Sequence, residues 1–229
     1  MAADSMEHCA LVTGAARRLG RAIAEDLARN GWRVGIHYQA SEADALSLLA
    51  EIEAFGGRAA AFQADLAELS ALPALIDNCA ETLGPVSCLV NNAAGFVWDW
   101  PDKFDETSWS AHHDVNLRAP VFLTKAFANA LPADLDGNVI NLIDQKVHAL
   151  NPHYYTYTLA KSALWTATRT MAQALAPRIR VNAIAPGPVI PFAGQSAEDF
   201  ERECDDTLLK RPVPLSDIAG AVRFLLETG

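Results

Sequence analysis

Tyr157-Thr-Leu-Ala-Lys161 sets a phenol and an ammonium four residues apart, on one face of any helix that contains them. A cation beside a phenol favours phenolate and lowers the tyrosine pKa. A tyrosine tuned in that way acts as a general acid near neutral pH, a role typically worth about 10²–10⁴ in rate. The pair also occurs on plain solvated helices, so it needs company. Asp144 lies thirteen residues before Tyr157, at the end of an apolar run. Asn116 lies inside a long helical pattern, where an amide is unfavourable unless it finds a buried partner. Both are expected to face one crevice with Tyr157 and Lys161.

A second group of residues has the chemistry of an anion site. Thr13-Gly14-Ala-Ala-Arg17-Arg18-Leu19-Gly20 joins a predicted strand to a predicted helix. Glycines there let the chain turn sharply and approach a pyrophosphate resting on the helix N-terminus. An ordinary strand-to-helix turn would look similar, so the next strand decides. It ends His37-Tyr38-Gln39-Ala40-Ser41, with no carboxylate before Glu42. A carboxylate would hold an NAD ribose, whereas a 2′-phosphate calls for cations and hydroxyl donors. Arg17 and Arg18 oppose a helix dipole unless an anion sits between them and it. NADP(H) is therefore favoured over NAD(H). Asp65, in Gln63-Ala64-Asp65-Leu66, either caps the next helix or reaches an adenine; the sequence permits both.

Positioning these groups requires alternating elements. Cys9 to Thr13 reads as a buried strand, followed by a helix striped by Leu19, Ile23 and Leu27 and ended by Gly31. Strands are predicted at Val34–Tyr38, Ala59–Gln63, Ser87–Asn91, Asn138–Ile143 and Arg178–Ile184. Helices are predicted at Glu42–Phe55, Leu69–Leu83, Trp109–Leu131 and Tyr157–Leu175, and the last strand is stopped by Pro186, Gly187 and Pro188. Strands apolar on both faces, alternating with helices, mean a parallel sheet covered on both sides. The expected fold is thus a single-domain, doubly wound Rossmann-type α/β sheet, binding its ligand beyond the carboxyl ends of the strands.

Composition removes other classes. Hydrophobic residues make up 51% of the 229, which is too apolar for a disordered chain and suits one large core. With 18 basic against 28 acidic residues, the formal charge is −10, and no basic stripe suggests nucleic acid. No apolar run approaches the roughly 18 residues of a membrane span. The acidic opening Met1-Ala-Ala-Asp-Ser-Met6-Glu lacks the basic charge of a signal peptide, so a cytoplasmic protein is expected. Residues 1–7 are expected to be a disordered or artificial extension. Cys9, Cys79, Cys88 and Cys204 have no ligand spacing and read as buried thiols, with no metal expected. His112 and His113 likewise read as surface or core residues.

Taken together, Thr13-Gly14…Gly20, Asn91-Asn92-Ala93, Asn116, Tyr157-x-x-x-Lys161 and Pro186-Gly187 resemble the short-chain dehydrogenase/reductases in order and spacing over nearly the whole chain. The resemblance implies that Tyr157 is the proton donor, that Lys161 lowers its pKa and holds the nicotinamide ribose, and that Asn116 supports a proton-relay water. It implies a cofactor site of Gly14, Arg17, Arg18, Leu19 and Gly20 at the first turn, and Tyr38, Gln39 and Ser41 after the second strand. Asp65, Leu66, Asn92 and Ala93 are counted in the same cofactor site, with Ala94 at the nicotinamide end of the Asn-Asn-Ala segment and Tyr157, Lys161, Pro186 and Gly187 completing it.

Three departures point within the family. Arg18 replaces the middle glycine of the turn, Asp144 replaces the catalytic serine, and Phe96 follows Asn91-Asn92-Ala93-Ala94-Gly95. This combination is similar to the pteridine reductases and the related dihydromonapterin and dihydrofolate reductases. It implies that a pterin ring lies between nicotinamide and Phe96, that Asp144 binds the aminopyrimidine edge and shares in protonation with Tyr157, and that Arg18 reaches both cofactor phosphate and substrate. Stacking suits a flat heterocycle, and an ionised carboxylate suits an edge of N–H donors. Two positions break the pattern: Ala94 stands where those enzymes have Ser, and Ala40 where an Arg would meet the 2′-phosphate.

A carbonyl reductase or alcohol dehydrogenase of the same fold, and a non-catalytic NADP(H)-binding regulator, are the alternatives. The family implies a homo-oligomer, tetramer or dimer. It usually continues into a seventh strand; this chain ends at Gly229, so a tail is left out or that strand is lacking. Trp98, Trp100 and Trp109 wall a substrate or pack beneath a loop or interface. Lys146, His148, His153 and Tyr154 border the pocket without assigned chemistry.

Overall fold

The computed structural model describes residues 8–192 and 194–228, so the expectation for residues 1–7 lies outside the described residues. Six strands form one parallel sheet in the order β3-β2-β1-β4-β5-β6. They are β1 (Cys9–Val12), β2 (Arg33–Tyr38), β3 (Ala59–Gln63), β4 (Val86–Asn91), β5 (Gly137–Leu142) and β6 (Ile179–Ile184). Alternation within β1 shows why the strands are apolar throughout: Ala10 and Val12 enter one core, Cys9 and Leu11 the other. The first core lies under α1 (Arg18–Arg29), α2 (Glu42–Ala54) and α8 (Leu215–Glu227). The second lies under α3 (Ala71–Leu83), α5 (Ala119–Ala130) and α6 (Tyr155–Leu175). Strand order reverses between β1 and β4, which opens the crevice at their carboxyl ends.

One predicted element differs. The expected single helix Trp109–Leu131 is α4 (Glu106–His113), a π-helical segment over Asp114–Arg118, and α5. Pro120 has no N–H to offer the carbonyl of Asn116 four residues back, so the regular ladder cannot run through this point. A capping box between Asp105 and Ser108 starts α4 earlier than the apolar pattern suggests. A further helix, α7 (Ala197–Asp205), flanks the crevice, capped by Ser196 Oγ accepting from the Asp199 N–H.

Candidate active site

The turn after β1 is held rigidly from below. Gly14 takes a left-handed φ of 62°, and its N–H donates to His37 Nδ1 at 3.0 Å. His37 Nε2 in turn meets the Ala64 carbonyl at 3.2 Å, so one buried imidazole ties together the ends of β1, β2 and β3. Burial pushes the His37 pKa down to about 4, which keeps the ring neutral and able to accept. Thr13 Oγ1 accepts from the Asn92 and Ala93 N–H groups at 2.9 and 3.0 Å. Asn92 Nδ2 donates to the Thr13 carbonyl at 2.8 Å. A Cβ at Gly20 would stand 2.2 Å from the Gly14 carbonyl oxygen, so only glycine lets helix α1 start this close to the turn.

Helix α1 begins with no side-chain cap and no acid in its first turn. Its free N–H groups face a cavity of about 400 Å³, a suitable seat for a phosphate. The predicted residues from the first turn, the β2 end, the Asp65–Leu66 segment and the Asn92–Ala94 segment all line this cavity. Arg17 forms an exposed ion pair with Asp44 at 3.6 Å. Arg18, at a φ of 56°, donates to the carbonyls of Ile190 and Pro191 at 3.2 and 2.7 Å, spanning the crevice. Asp65 Oδ1 accepts from the Ala67 N–H at 2.9 Å while lining the same cavity, so it caps a local turn and borders the site at once. Of the nicotinamide-end pair, Pro186 accepts from the Gln145 N–H at 3.0 Å, and Gly187 lines the adjoining cavity.

That second cavity, about 770 Å³, is bordered by Phe96, Asp144, Lys146, Tyr154, Gly187 and Phe192, with α7 at its outer side. Behind this lining, the buried Tyr157 hydroxyl donates at 3.0 Å to Oδ2 of Asp144, which itself borders the cavity. Lys161 Nζ donates to the Leu142 carbonyl at 2.7 Å and lies 5.7 Å from the centre of the Tyr157 ring. Phe96 meets the Tyr157 ring edge-on at 4.7 Å and stacks on Tyr154 at 4.2 Å. Tyr154 therefore covers one face of Phe96, while Tyr157 and Phe192 meet Phe96 in T-shaped contacts at 4.7 and 5.1 Å. Asn116 is fully buried, and its amide exchanges two hydrogen bonds with the Gly95 backbone, at 3.0 and 2.8 Å. It fixes the loop that carries Phe96 rather than opening into the crevice.

The electrostatics correct one expectation. Burial, then the Asp144 carboxylate, push the Tyr157 pKa well above the usual phenol value instead of letting Lys161 lower it. The reason is distance and solvation: the negative oxygen is hydrogen-bonded to the phenol, whereas the ammonium is engaged elsewhere. Lys161 is itself pushed down to about 8 by burial. Burial also raises Asp144, against the pull of the Lys146 N–H and the Tyr157 hydroxyl.

Sequence reasoning gave no supporting role to Thr13 or His37 and did not name Phe192. His37 and Thr13 signal only as polar residues in apolar strands. Phe192 is an aromatic residue in a loop, with no periodicity to place it, whereas Tyr154, expected at the pocket's edge, lines it. Of the tryptophans, Trp98 is 52% exposed and Trp109 stacks outward on His113 at 3.9 Å, so neither walls the cavity.

The chain is similar to a 3-oxoacyl-[acyl-carrier-protein] reductase of Synechocystis, 32% identical over 94% of this chain and 87% of the relative. Among solved structures it is similar to the FolM alternative dihydrofolate reductase 1 from Brucella canis complexed with NADP. The TM-score is 0.93 at 46% identity, covering 96% of this chain and 88% of that one. A blue fluorescent protein from a metagenomic library, in complex with NADPH, superposes with a TM-score of 0.88 at 31% identity, over 95% and 90% of the two chains. The short chain dehydrogenase family matches over residues 8–201. With the sheet order, the turn and the Tyr157–Lys161 pair already in place, this chain belongs to the short chain dehydrogenase family.

Proposed function

We propose that the protein is an NADPH-dependent reductase of a C=N bond in a pterin, dihydropterin or dihydrofolate-like ring. The observation that carries this reading is the Asp144 carboxylate, which lines one cavity with Phe96 and accepts from the Tyr157 hydroxyl at 3.0 Å. A ketone reductase needs a neutral donor to its substrate oxygen; an ionised carboxylate offers only acceptors, which match an aminopyrimidine edge. The 46% identity to a protein titled a dihydrofolate reductase supports the same substrate class.

NADPH, when bound, supplies the hydride. Gly14, Gly20 and the open α1 terminus would seat its pyrophosphate; Arg18, Gln39 and Ser41 would meet its 2′-phosphate. The substrate ring stacks against Phe96, with Asp144 accepting from its N–H groups. Tyr157, kept protonated by burial and by Asp144, delivers its proton to the ring nitrogen. Lys161, a cation below about 8, donates to the Leu142 carbonyl at 2.7 Å behind the phenol, where a nicotinamide ribose would come within its reach. Four buried free thiols suit a reducing compartment such as the cytoplasm. Exposed Trp109, Phe122 and Leu159 on the α4–α6 side would be covered in a homo-oligomer.

The carbonyl-reductase reading has one specific support, the 32% identity to 3-oxoacyl-[acyl-carrier-protein] reductases. Following NADPH absorbance with dihydropterins, dihydrofolate and a panel of ketones separates the two. Dihydropterin or dihydrofolate turnover is expected to dominate, and turnover of ketones alone overturns the proposal. Cofactor choice is checked at Arg18. Arg18→Ala should weaken NADPH by roughly tenfold, the worth of one charge-assisted hydrogen bond, and NADH much less. Fluorescence titration showing equal losses would remove the 2′-phosphate contact.

A further inference from the structure

Next to the proposed substrate cavity lies a polar cluster that the mechanism does not use. Asp99, His112 and Thr156 are all buried, and they come from three elements: the loop after Phe96, helix α4 and the first turn of α6. The Val97 N–H donates to His112 Nε2 at 2.9 Å, so the neutral ring carries its proton on Nδ1. Nδ1 meets Thr156 Oγ1 at 2.6 Å, and that hydroxyl donates to Asp99 Oδ2. Asp99 also accepts from the Thr156 N–H through Oδ1 at 3.2 Å, and its backbone carbonyl accepts from the Tyr154 N–H at 3.1 Å. Burial holds His112 below the usual imidazole range, which preserves this one-way chain of donors.

Helix α6 has no cap of its own, because its preceding residue is Tyr154 in the left-handed region at a φ of 56°. Asp99 supplies the missing cap from 57 residues away in sequence. Through it, the carbonyl that holds Tyr154 and the carboxylate that holds Thr156 belong to one residue. Tyr157 follows Thr156 directly, and Phe96 precedes Val97 directly. The chain Val97–His112–Thr156–Asp99 thus connects the loop carrying the aromatic wall to the helix turn carrying the phenol. The His112 ring also lies edge-on to Tyr157 at 5.8 Å.

We propose that Asp99, acting through Thr156 and His112, is a positioning residue that holds the Phe96 wall and the Tyr157 hydroxyl in register across the substrate cavity. This rests on reading Tyr157 as proton donor and Phe96 as ring platform. A fully satisfied buried network specifies one geometry where apolar side chains would tolerate several. A shift of about 1 Å in a reacting group costs roughly 10² in rate, so such a clamp acts on turnover without touching substrate.

The test uses three variants of the full chain. Thr156→Val removes the shared hydroxyl at constant shape and should lower kcat roughly 10²-fold while leaving NADPH affinity unchanged. Thr156→Ser, which keeps the hydroxyl, should restore most of the loss. His112→Asn keeps an amide donor for Thr156, but its shorter side chain cannot also extend an acceptor to the Val97 N–H, so it should raise the substrate KM more than it lowers kcat. A Thr156→Val kcat near the parent value, failure of Ser to rescue, or NADPH binding lost in step with turnover overturns the clamp. Should Thr156→Val fail to fold, an unchanged KM in His112→Asn overturns it equally. A parent protein that turns over ketones but not dihydropterins sinks only the substrate reading, and the same variants are then compared on the ketone. Hydrogen exchange provides a substrate-free arm. Faster exchange in Thr156→Val confined to residues 95–99 and 154–157 supports the clamp, and unchanged exchange there refutes it.

Discussion

Replacing Tyr157 with Phe is expected to lower kcat for dihydropterin reduction by about 10²–10⁴ while NADPH still binds. The ring is 5% exposed and packs edge-on against Phe96 and His112, contacts that phenylalanine keeps. The lost hydroxyl hydrogen bond to Asp144 is worth about 0.5–1.5 kcal/mol, too little to unfold a domain of this size. Folding and cofactor binding therefore survive, and the change isolates the proton. Stopped-flow NADPH oxidation with parallel fluorescence titration measures both quantities. Unchanged turnover would transfer the proton-donor role to Asp144, whose raised pKa makes it the next available acid. A variant and a parent that bind NADPH equally and are both inert would instead fit a cofactor-sensing regulator.

The same residue shows how far the sequence reaches. The spacing of Tyr157 and Lys161 was enough to place them on one helix face, because helix geometry is local. It could not give the sign of the Tyr157 shift, which depends on burial and on which charge stands closer. Strand order was legible for a similar reason. Each strand enters two cores, so its residues are apolar throughout, and alternation with helices leaves few topologies. The turn residues Gly14, Arg18 and Gly20 were legible because glycines, and arginine in a first helical turn without acid, conflict with ordinary helix starts.

What was illegible depends on long-range partners. His37 supports Gly14 across 23 residues, and Asp99 caps α6 across 57. Neither residue type in its local setting names its partner. The π-helical interruption at Asp114–Arg118 lies between these cases: Pro120 was visible, but the pattern of apolar residues runs through it and reads as one helix. Helix α7 did leave a local signal in Ser196-Ala-Glu-Asp199, and its polar composition gave no apolar stripe to accompany it.

Replacing Asp144 with Ser should separate substrate recognition from stability. The carboxylate is expected to hold the N–H edge of the substrate, and losing a charge-assisted acceptor of about 3 kcal/mol lowers kcat/KM for dihydropterins roughly 10²-fold. Ketone turnover should hold or rise, since a serine hydroxyl donates where an ionised carboxylate cannot. The pH profile should move as well. Asp144 raises the Tyr157 pKa both by its charge and by its hydrogen bond, so removing it lowers that pKa and shifts the alkaline limb of activity to lower pH. Stability should change in the opposite sense to activity. Asp144 has a folded-state pKa above its unfolded value, so the fold is favoured at acid pH and loses that contribution as pH rises through the folded pKa. Serine has no such dependence, and the Tm advantage of the variant over the parent should grow from acid to neutral pH. Calorimetry across that range, paired with initial rates on a dihydropterin and a ketone, checks all three. If dihydropterin turnover is intact and the two Tm curves run parallel, the carboxylate neither grips the substrate nor bears a burial penalty. If the curves diverge and pterin turnover collapses, a destabilising buried charge is being retained at this position because it recognises the substrate.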